Sequence, residues 1–280
     1  MKTTRKYIKR SWLKKGLILF GVVLATILLM LYLKEKYTTA TVKVIAEESV
    51  KQNTTQQQNN ENTEQPKKEK KIASKQLGKV VYLTFDDGPS QLTEQFLDIL
   101  KEHEVKATFF MQGVNLLNKS YEESVKRATQ EGHYVGAHSM SHDKKRLYNE
   151  GQFVDEMNET LLLIQDITGT KPKLVRAPYG SVPGLNSKGL RDEIAEADIK
   201  LWDWTIDSFD WQLEYNRNQI VENIKNGTVR DIEVVLMHEK IQTLQVLPEI
   251  ISFYKEKGYQ FGVYNDTNHF TQNFHKDQRL

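Results

Sequence analysis

Five short groups of polar residues could carry chemistry, because each follows a hydrophobic segment that reads as a β-strand. The groups are Asp86 with Asp87, His138 with His142, Arg176, Asp207 with Asp210, and His238. The carboxyl ends of parallel strands meet on one face of an α/β protein, and that face is where ligands bind. Five such groups at strand ends are hard to ascribe to chance, so we predict that they share one site.

The first group stands where a buried strand ends. Residues 80–85 form an uncharged run of β-branched and aromatic residues, which is typical of a buried parallel strand. Gly88 and Pro89 are turn formers and stop this strand directly after Asp86 and Asp87. Two carboxylates at one site repel each other unless a cation or a proton intervenes. A solvated Asp-Asp-Gly turn is the alternative interpretation of this stretch alone.

Two histidines downstream favour a cation. His138 and His142 are four residues apart, so a helical turn places both imidazoles on one side, where they can share a metal ion. With Asp87 they make a set of two histidines and one carboxylate, which leaves positions open for water and substrate. The chain has no cysteine, so histidines and carboxylates must supply every metal ligand. A solvated pair of histidines is the alternative for these two residues alone.

The other candidate residues have ordinary alternatives. Arg176 could make a structural ion pair, and His238 could be a hydrogen-bonded core histidine. The remaining histidines are expected on the surface or in a C-terminal tail: His103 and His133 on the surface, His269 and His275 in the tail. Tryptophans are more often core residues than ligand platforms, which is our expectation for Trp202, Trp204 and Trp211, although Trp211 adjoins the predicted site.

The elements that must position these residues alternate between strand and helix about seven times. Strands are predicted at residues 80–85, 107–111, 134–137, 174–175, 199–206, 233–237 and 259–263. Helices are predicted at residues 93–103, 121–130, 153–167, 190–197, 220–224 and 247–257. Such alternation predicts a parallel sheet and, over roughly 200 residues, a closed or nearly closed α/β barrel. A doubly wound open sheet is the alternative, but no glycine-rich nucleotide-binding loop supports it.

The N-terminal part of the chain has a different character. Residues 1–15 are basic, and residues 16–33 are apolar and uncharged, close to the ~20 residues that span a bilayer as a helix. The positive-inside rule then predicts a single-pass signal anchor in the cell membrane with the folded part outside the cytoplasm. A cleaved signal peptide is the alternative. Residues 34–77 are polar and aperiodic, which predicts a flexible linker before a catalytic domain at 78–270 and a tail at 271–280.

The motifs resemble those of the polysaccharide deacetylase family, carbohydrate esterase family 4. They are TFDDG at 84–88, HSxxH at 138–142, RxPY at 176–179, DSxDW at 207–211 and LxH at 236–238. Five motifs in this order are much more specific than any one of them. RAPY departs from the commoner RPPY but retains Arg176 and Tyr179, and no metal ligand is lost.

The resemblance implies a distorted (β/α) barrel that holds one divalent metal, with zinc expected and cobalt, manganese or nickel as alternatives. Its implied metal ligands are Asp87, His138 and His142. The implied catalytic residues are Asp86 as general base, His238 as general acid, Arg176 paired with Asp86, and Asp210 paired with His238. The implied substrate contacts are the backbone N–H of Tyr179, which would bind the oxyanion, and Trp211 and Leu236, which would line a pocket for the acetyl methyl group.

These expectations combine into a function. The anchor and linker would place a metal-dependent N-deacetylase beside the cell wall, so the expected substrate is N-acetylglucosamine in peptidoglycan. The alternatives are another acetylated polymer, such as chitin-like chains, poly-N-acetylglucosamine or xylan, and a glycan-binding module without turnover. The net charge of +2 gives no reason to expect nucleic acid as a partner. The expected partners are the polysaccharide and the membrane, and no obligate protein partner is evident.

Overall fold

The first strand, β1 (Val80–Gly88), lies at the centre of a parallel sheet. The computed structural model describes residues 78–280, and within this range no helix is long and apolar enough to cross a membrane. The predicted anchor at residues 16–33 and linker at 34–77 lie outside the described residues. The sheet also contains β2 (Thr108–Met111), β3 (Tyr134–Ala137), β4 (Leu174–Val175), β5 (Lys200–Leu201), β6 (Ile206–Asp207), β7 (Ile232–His238) and β8 (Gln260–Gly262).

The strand order identifies the type of sheet. Neighbours run β5-β4-β3-β2-β1-β7-β6, and β8 pairs with the first half of β1. Taken as a circle, β1 to β7 are consecutive, as in a barrel, whereas a doubly wound sheet reverses direction. All pairs are parallel, and the central strands are buried on both faces, as expected for parallel strands covered by helices. The prediction of a distorted α/β barrel is confirmed.

The helices cover the outside of this sheet with their apolar faces. They are α1 (Thr93–Glu102), α2 (Gly113–Leu116), α3 (Glu122–Gln130), α4 (Phe153–Thr168), α5 (Lys188–Glu196), α6 (Arg217–Gly227) and α7 (Ile241–Glu256). Short helical turns occur at Lys119–Tyr121, Lys145–Asn149, Asp210–Gln212 and Asp266–Asn268. On α1, for example, Phe96, Leu97 and Leu100 recur at helical spacing and are fully buried in the core.

The predicted strand at residues 199–206 is wrong, because two short strands replace it. β5 lies beside β4 at one edge of the sheet, and β6 lies beside β7 at the other edge. The intervening chain crosses the seam between the two edges. There the buried Trp202 packs its ring against Tyr82 and Tyr264 and makes an isolated bridge with Gln272. Aromatic packing therefore fills the seam where a continuous ladder of hydrogen bonds would close a regular barrel.

The last ten residues, which we expected to form a tail, pack against the barrel. The Asp203 amide donates to the carbonyl of Gln272 at 2.7 Å, and Leu280 is fully buried. The ring of His275 contacts the carbonyl of Ser181 at 3.1 Å. The surface position predicted for His133 is also wrong. This residue is buried, its Nδ1 accepts from the Ala107 amide, and burial lowers its pKa to about 4.

Candidate active site

The predicted site residues meet at one cavity of about 400 Å³, at the carboxyl ends of the strands. The cavity is lined by Asp86, Asp87, His138, His142, Ala177, Tyr179, Trp204, Asp207, Trp211, Leu236 and His238. Arg176 and Asp210 are fully buried directly behind this wall. Strands β1 and β7 are in register, with Asp86 opposite His238, so these two side chains start from neighbouring positions on one edge of the sheet.

Asp87 is held in place by polar side chains that follow β2. Gln112 Nε2 donates to Asp87 Oδ1 at 2.6 Å, and Asn115 Nδ2 donates to the Asp87 carbonyl at 3.0 Å. Burial alone would raise the pKa of Asp87, but the neighbouring histidines and the Gln112 hydrogen bond lower it below its usual value. Asp87 is therefore a carboxylate at neutral pH, as a metal ligand must be.

The two histidines present nitrogen lone pairs to the same point. His138 Nδ1 lies 2.8 Å from the Arg176 carbonyl, an acceptor, so Nδ1 carries the proton and Nε2 is free to bind a cation. His138 Nε2 and His142 Nε2 lie 3.8 and 3.7 Å from Asp87 Oδ1. Burial and the neighbouring His138 lower the pKa of His142, which favours the neutral, ligating imidazole.

These three residues fit a metal ion. One ligand atom from each of Asp87, His138 and His142 lies within 4.8 Å of the others. A tetrahedral zinc with ligands at about 2.0–2.1 Å separates neighbouring ligand atoms by roughly 3.4 Å. The observed distances of 3.7 and 3.8 Å need only small side-chain adjustments to reach that value. Three protein ligands also leave a position for water or substrate, as in catalytic sites.

The backbone around this site is unusual. Asp87, Ser139, His142, Tyr179 and Phe209 have positive φ angles, between 55° and 70°. Residues with a Cβ rarely adopt this conformation, and it persists where the surrounding structure requires it. Here it turns the chain sharply near the ends of β1, β3, β4 and β6, and Asp87, His142 and Tyr179 line one cavity.

Asp86 is buried against a permanent cation. Arg176 Nη1 donates to Asp86 Oδ1 at 2.9 Å, and both side chains are almost inaccessible to solvent. The other guanidinium nitrogens donate to the carbonyls of Trp202 and Asp203, at 3.1 and 3.0 Å. The guanidinium also lies 4.2 Å from the centre of the Phe110 ring. Each nitrogen of the buried guanidinium thus has a hydrogen-bond acceptor. Such bonds offset the free-energy cost of burying an ion pair.

His238 is half-buried and lies against a carboxylate. Its Nδ1 lies 2.7 Å from Asp210 Oδ1, and its amide donates to Asp210 Oδ2 at 2.7 Å. The Thr243 hydroxyl donates to the same Oδ2, and Gln242 Nε2 donates to the Asp210 backbone carbonyl at 2.8 Å. Burial would lower the pKa of His238, but the hydrogen bond and the charge of Asp210 outweigh it, so the pKa is raised. The free Nε2 of His238 can therefore carry a proton near neutral pH.

The remaining wall combines a free donor with apolar surface. Within residues 78–280 no acceptor bonds the Tyr179 amide, while the Tyr179 hydroxyl donates to the His142 carbonyl at 3.0 Å. Trp211 is about half exposed, at 53%, and Leu236 is buried, at 4%. An unpaired N–H beside apolar side chains can bind a polarised carbonyl oxygen and, next to it, a methyl group.

Sequence reasoning missed several residues that shape the site. Glu239 accepts hydrogen bonds from Ser90 and Thr93, both at 2.6 Å, and its Oε1 would lie 2.0 Å from a Cβ at Gly88. It thereby joins the His238 loop to the turn that carries Asp87, and burial raises its pKa. Its position directly after His238, at the end of a buried strand, was the only sequence signal.

Two further residues of the cavity, Trp204 and Asp207, have no role implied by the sequence. Trp204 lines the cavity and is half-buried, whereas Trp202 is core as expected. Asp207 also lines it, and burial together with the charge of Asp210 raises its pKa. Asp207 lies at the strand end where its group was predicted, whereas periodicity could not place Trp204, because it lies where the predicted single strand divides.

Comparisons with known proteins agree with this geometry. Residues 73–202 match the family model described as "Polysaccharide deacetylase". The chain is 47% identical over 210 residues to a peptidoglycan-N-acetylglucosamine deacetylase of Bacillus cereus, covering 72% of this chain and 75% of that protein. It is 37% identical over 184 residues to the peptidoglycan-N-acetylmuramic acid deacetylase PdaC of Bacillus subtilis, covering 65% of this chain and 37% of that protein.

A solved structure extends the agreement to the whole fold. The crystal structure of a polysaccharide deacetylase from Bacillus cereus superposes with a TM-score of 0.69 at 46% identity, covering 72% of this chain and all of that chain. The chain therefore belongs to the polysaccharide deacetylase family, carbohydrate esterase family 4, and is a polysaccharide deacetylase.

Proposed function

We propose that this protein hydrolyses the N-acetyl group of N-acetylglucosamine in peptidoglycan, with a divalent metal bound by Asp87, His138 and His142. The observation that carries the proposal is the convergence of these three ligands, Asp86 and His238 on one cavity. The name of the Bacillus cereus relative, which is 47% identical over 210 residues, supports the choice of sugar.

The metal we propose is zinc, with cobalt, manganese or nickel as alternatives. Two imidazoles and one carboxylate suit zinc, and three protein ligands are typical of its catalytic sites. When bound, such an ion supplies a water of lowered pKa and polarises the amide carbonyl. Two of the three ligands are oriented by a further hydrogen bond, Asp87 by one from Gln112 and His138 by one to the Arg176 carbonyl.

Asp86 is proposed as the general base. It takes a proton from the attacking water as the water oxygen bonds to the amide carbon. Arg176 fixes the orientation of Asp86, because Nη1 donates to Oδ1 at 2.9 Å. The negative charge that develops on the carbonyl oxygen can be stabilised by the free Tyr179 amide, and one such donor can contribute roughly 3 kcal/mol. Trp211 and Leu236 enclose the acetyl methyl group.

His238 is proposed as the general acid. The amine is a poor leaving group unless it is protonated, so a proton must reach the nitrogen as the carbon–nitrogen bond breaks. Asp210 raises the pKa of His238 and orients its ring, so Nε2 carries that proton into the cavity. The products are acetate and a glycan with a free amine, which is more cationic than the substrate.

We further propose that residues 16–33 anchor the protein in the cell membrane and that residues 34–77 hold the catalytic domain outside the cytoplasm. Sequence alone supports this, through the basic residues before an apolar run of spanning length. Protease accessibility of the catalytic domain on intact cells tests it, because a domain inside the cytoplasm would resist digestion.

A second candidate is deacetylation of N-acetylmuramic acid, which the name of the PdaC relative favours. Other acetylated polymers, such as chitin-like chains or xylan, are the remaining enzymatic alternatives, and a glycan-binding module without turnover is the non-enzymatic one.

Acetate release from purified peptidoglycan, with and without a chelator, tests the proposal. We expect release that stops with chelator and resumes with zinc, and mass spectrometry of the products that places the free amines on glucosamine. Absence of acetate release in the presence of zinc would refute the proposal.

A further inference from the structure

A second cavity of about 820 Å³ adjoins the active site. Trp204 and Asp207 line both cavities, so the two spaces are neighbours that share one wall. The second cavity lies where β6 and β7 face residues 270–278, at the seam of the barrel. The mechanism proposed above uses no residue that belongs to this second cavity alone.

The second cavity is long. It is lined near its far end by Ile232, the first residue of β7, and by Arg230, whereas His238 is the last residue of the same strand. His238 is six positions after Ile232, and at about 3.3 Å per position this is roughly 20 Å. A single sugar whose acetyl group lies beside His238 cannot reach Arg230. A substrate that occupies both cavities must be a polymer or carry a long substituent.

The lining of the second cavity has a distinct chemistry. Arg230 and Lys276 are exposed at its edge, and within residues 78–280 neither side chain makes an ion pair or a hydrogen bond. Among residues 78–280, Asp207 is the only acidic residue that lines it, and this carboxylate stands at the end shared with the active site. Phe274, which is 42% exposed, and Trp204 add aromatic surface. Unpaired cations beside aromatic surface suit a ligand that has both carboxylates and apolar atoms.

We propose that this cavity binds the acidic peptide stem of peptidoglycan, attached to the glycan beside the sugar that is deacetylated. The proposal rests on the proposed function. A stem of about five residues spans roughly 16 Å when extended, which matches the reach toward Arg230. A carboxylate attached directly to the neighbouring sugar is too short to reach it. Arg230 and Lys276 bind the stem carboxylates, so the stem strengthens binding of the substrate without taking part in the bond-breaking step.

The test is a double variant, Arg230→Gln with Lys276→Gln, in the zinc-loaded full-length protein. Three substrates are compared: soluble glycan strands with peptide stems, the same strands after an amidase has removed the stems, and the neutral tetrasaccharide of N-acetylglucosamine. The matched control is Lys101→Gln, which removes an exposed lysine on α1 that lines neither cavity. Melting temperatures of all variants are measured alongside, to show that the fold is retained.

We expect KM for the stem-bearing strands to rise about tenfold with kcat within twofold, since two partly exposed charge-assisted contacts are lost. KM for the stripped strands and for the tetrasaccharide should not change, and 0.5 M salt should reduce the wild-type preference for stems. An unchanged KM on stem-bearing strands, or an equal rise on stripped strands or the tetrasaccharide, would overturn the proposal. Failure of the wild-type protein to release acetate from any of the three substrates would instead overturn the proposed function.

Discussion

Asp86 and His238 occupy paired positions on neighbouring strands, yet they are supported in different ways. Asp86 is backed by Arg176, a cation at every physiological pH, and the pair is sealed from solvent. His238 is backed by Asp210, and its own ring remains partly accessible, at 13% of its side-chain surface. One side of the active site is therefore a sealed, hydrogen-bonded ion pair, and the other side is a partly accessible histidine whose charge changes with pH.

This difference matches the two tasks we assign. A base that accepts a proton from water must be held in a fixed position beside it, and the hydrogen bond from Arg176 does this for Asp86. An acid must hold a proton and then lose it, so its pKa must lie near the working pH. Asp210 raises the pKa of His238 toward that range without making the charge permanent. Substitution of Arg176 should consequently affect stability, and substitution of Asp210 should affect the pH dependence of activity.

The largest effect is expected from the loss of a metal ligand, because the proposed roles of Asp86 and His238 both depend on the metal. His138→Ala removes one of three ligands, and we expect activity to fall by about 1,000-fold or more together with loss of bound zinc. Acetate release and elemental analysis of the purified protein measure the two quantities. His103→Ala, a histidine outside the cavity, is the matched control and should retain both. Full zinc content in His138→Ala would show that this residue is not a ligand.

Arg176→Met should lower the free energy of unfolding, because it breaks the buried ion pair with Asp86. It leaves the Asp86 carboxylate buried without its partner, which costs about 3–5 kcal/mol in comparable buried pairs. Denaturant unfolding of the protein with and without the substitution measures this. Arg176→Met combined with Asp86→Asn should recover part of the loss, because the uncompensated charge is removed. A double variant no more stable than the single one would contradict this account of the pair.

Asp210→Asn should change the pH dependence of activity, because it lowers the pKa of His238. The raised pKa keeps His238 protonated to higher pH, and the acid is lost as pH rises through that value. Without the carboxylate the pKa falls, so the alkaline limb of kcat/KM should move to lower pH and the rate should drop about 10- to 100-fold. The pH profile is the measurement, and an unmoved alkaline limb would remove His238 from the role of acid.

Glu239→Ala should have a smaller effect. It removes the hydrogen bonds that join the His238 loop to the turn that carries Asp87. Glu239 accepts from Ser90 and Thr93 and fills the space above Gly88. We expect about a tenfold loss of zinc affinity, since the turn that carries Asp87 loses its support. Glu239→Gln keeps the shape and one accepting oxygen and should bind zinc nearly as well as the wild-type protein. Unchanged zinc affinity in the alanine variant would refute the link.

Much of the barrel could be read from the sequence, because buried parallel strands leave an uninterrupted apolar run with polar residues at its end. β3 and β4 lie at their predicted bounds, and β1 and β7 extend slightly beyond theirs, as far as Gly88 and His238. The convergence of Asp87, His138 and His142 followed from the rule that strand ends share one face.

Other features depend on contacts between distant segments and leave no local pattern. The division of residues 199–206 into two strands depends on Trp202 meeting Gln272 across the seam. The packing of the last ten residues and the second cavity that they help to line arise from the same contact region. The burial of Glu239 depends on its bonds to Ser90 and Thr93, about 150 residues earlier in the chain.

The central claim is that Asp86 acts as a base beside a metal that it does not itself hold. Asp86→Asn retains the size of the side chain and leaves Asp87, His138 and His142 intact. We predict one zinc per chain, as in the wild-type protein, with kcat on peptidoglycan lowered about 100- to 10,000-fold. Normal turnover by the zinc-loaded variant would contradict the account directly.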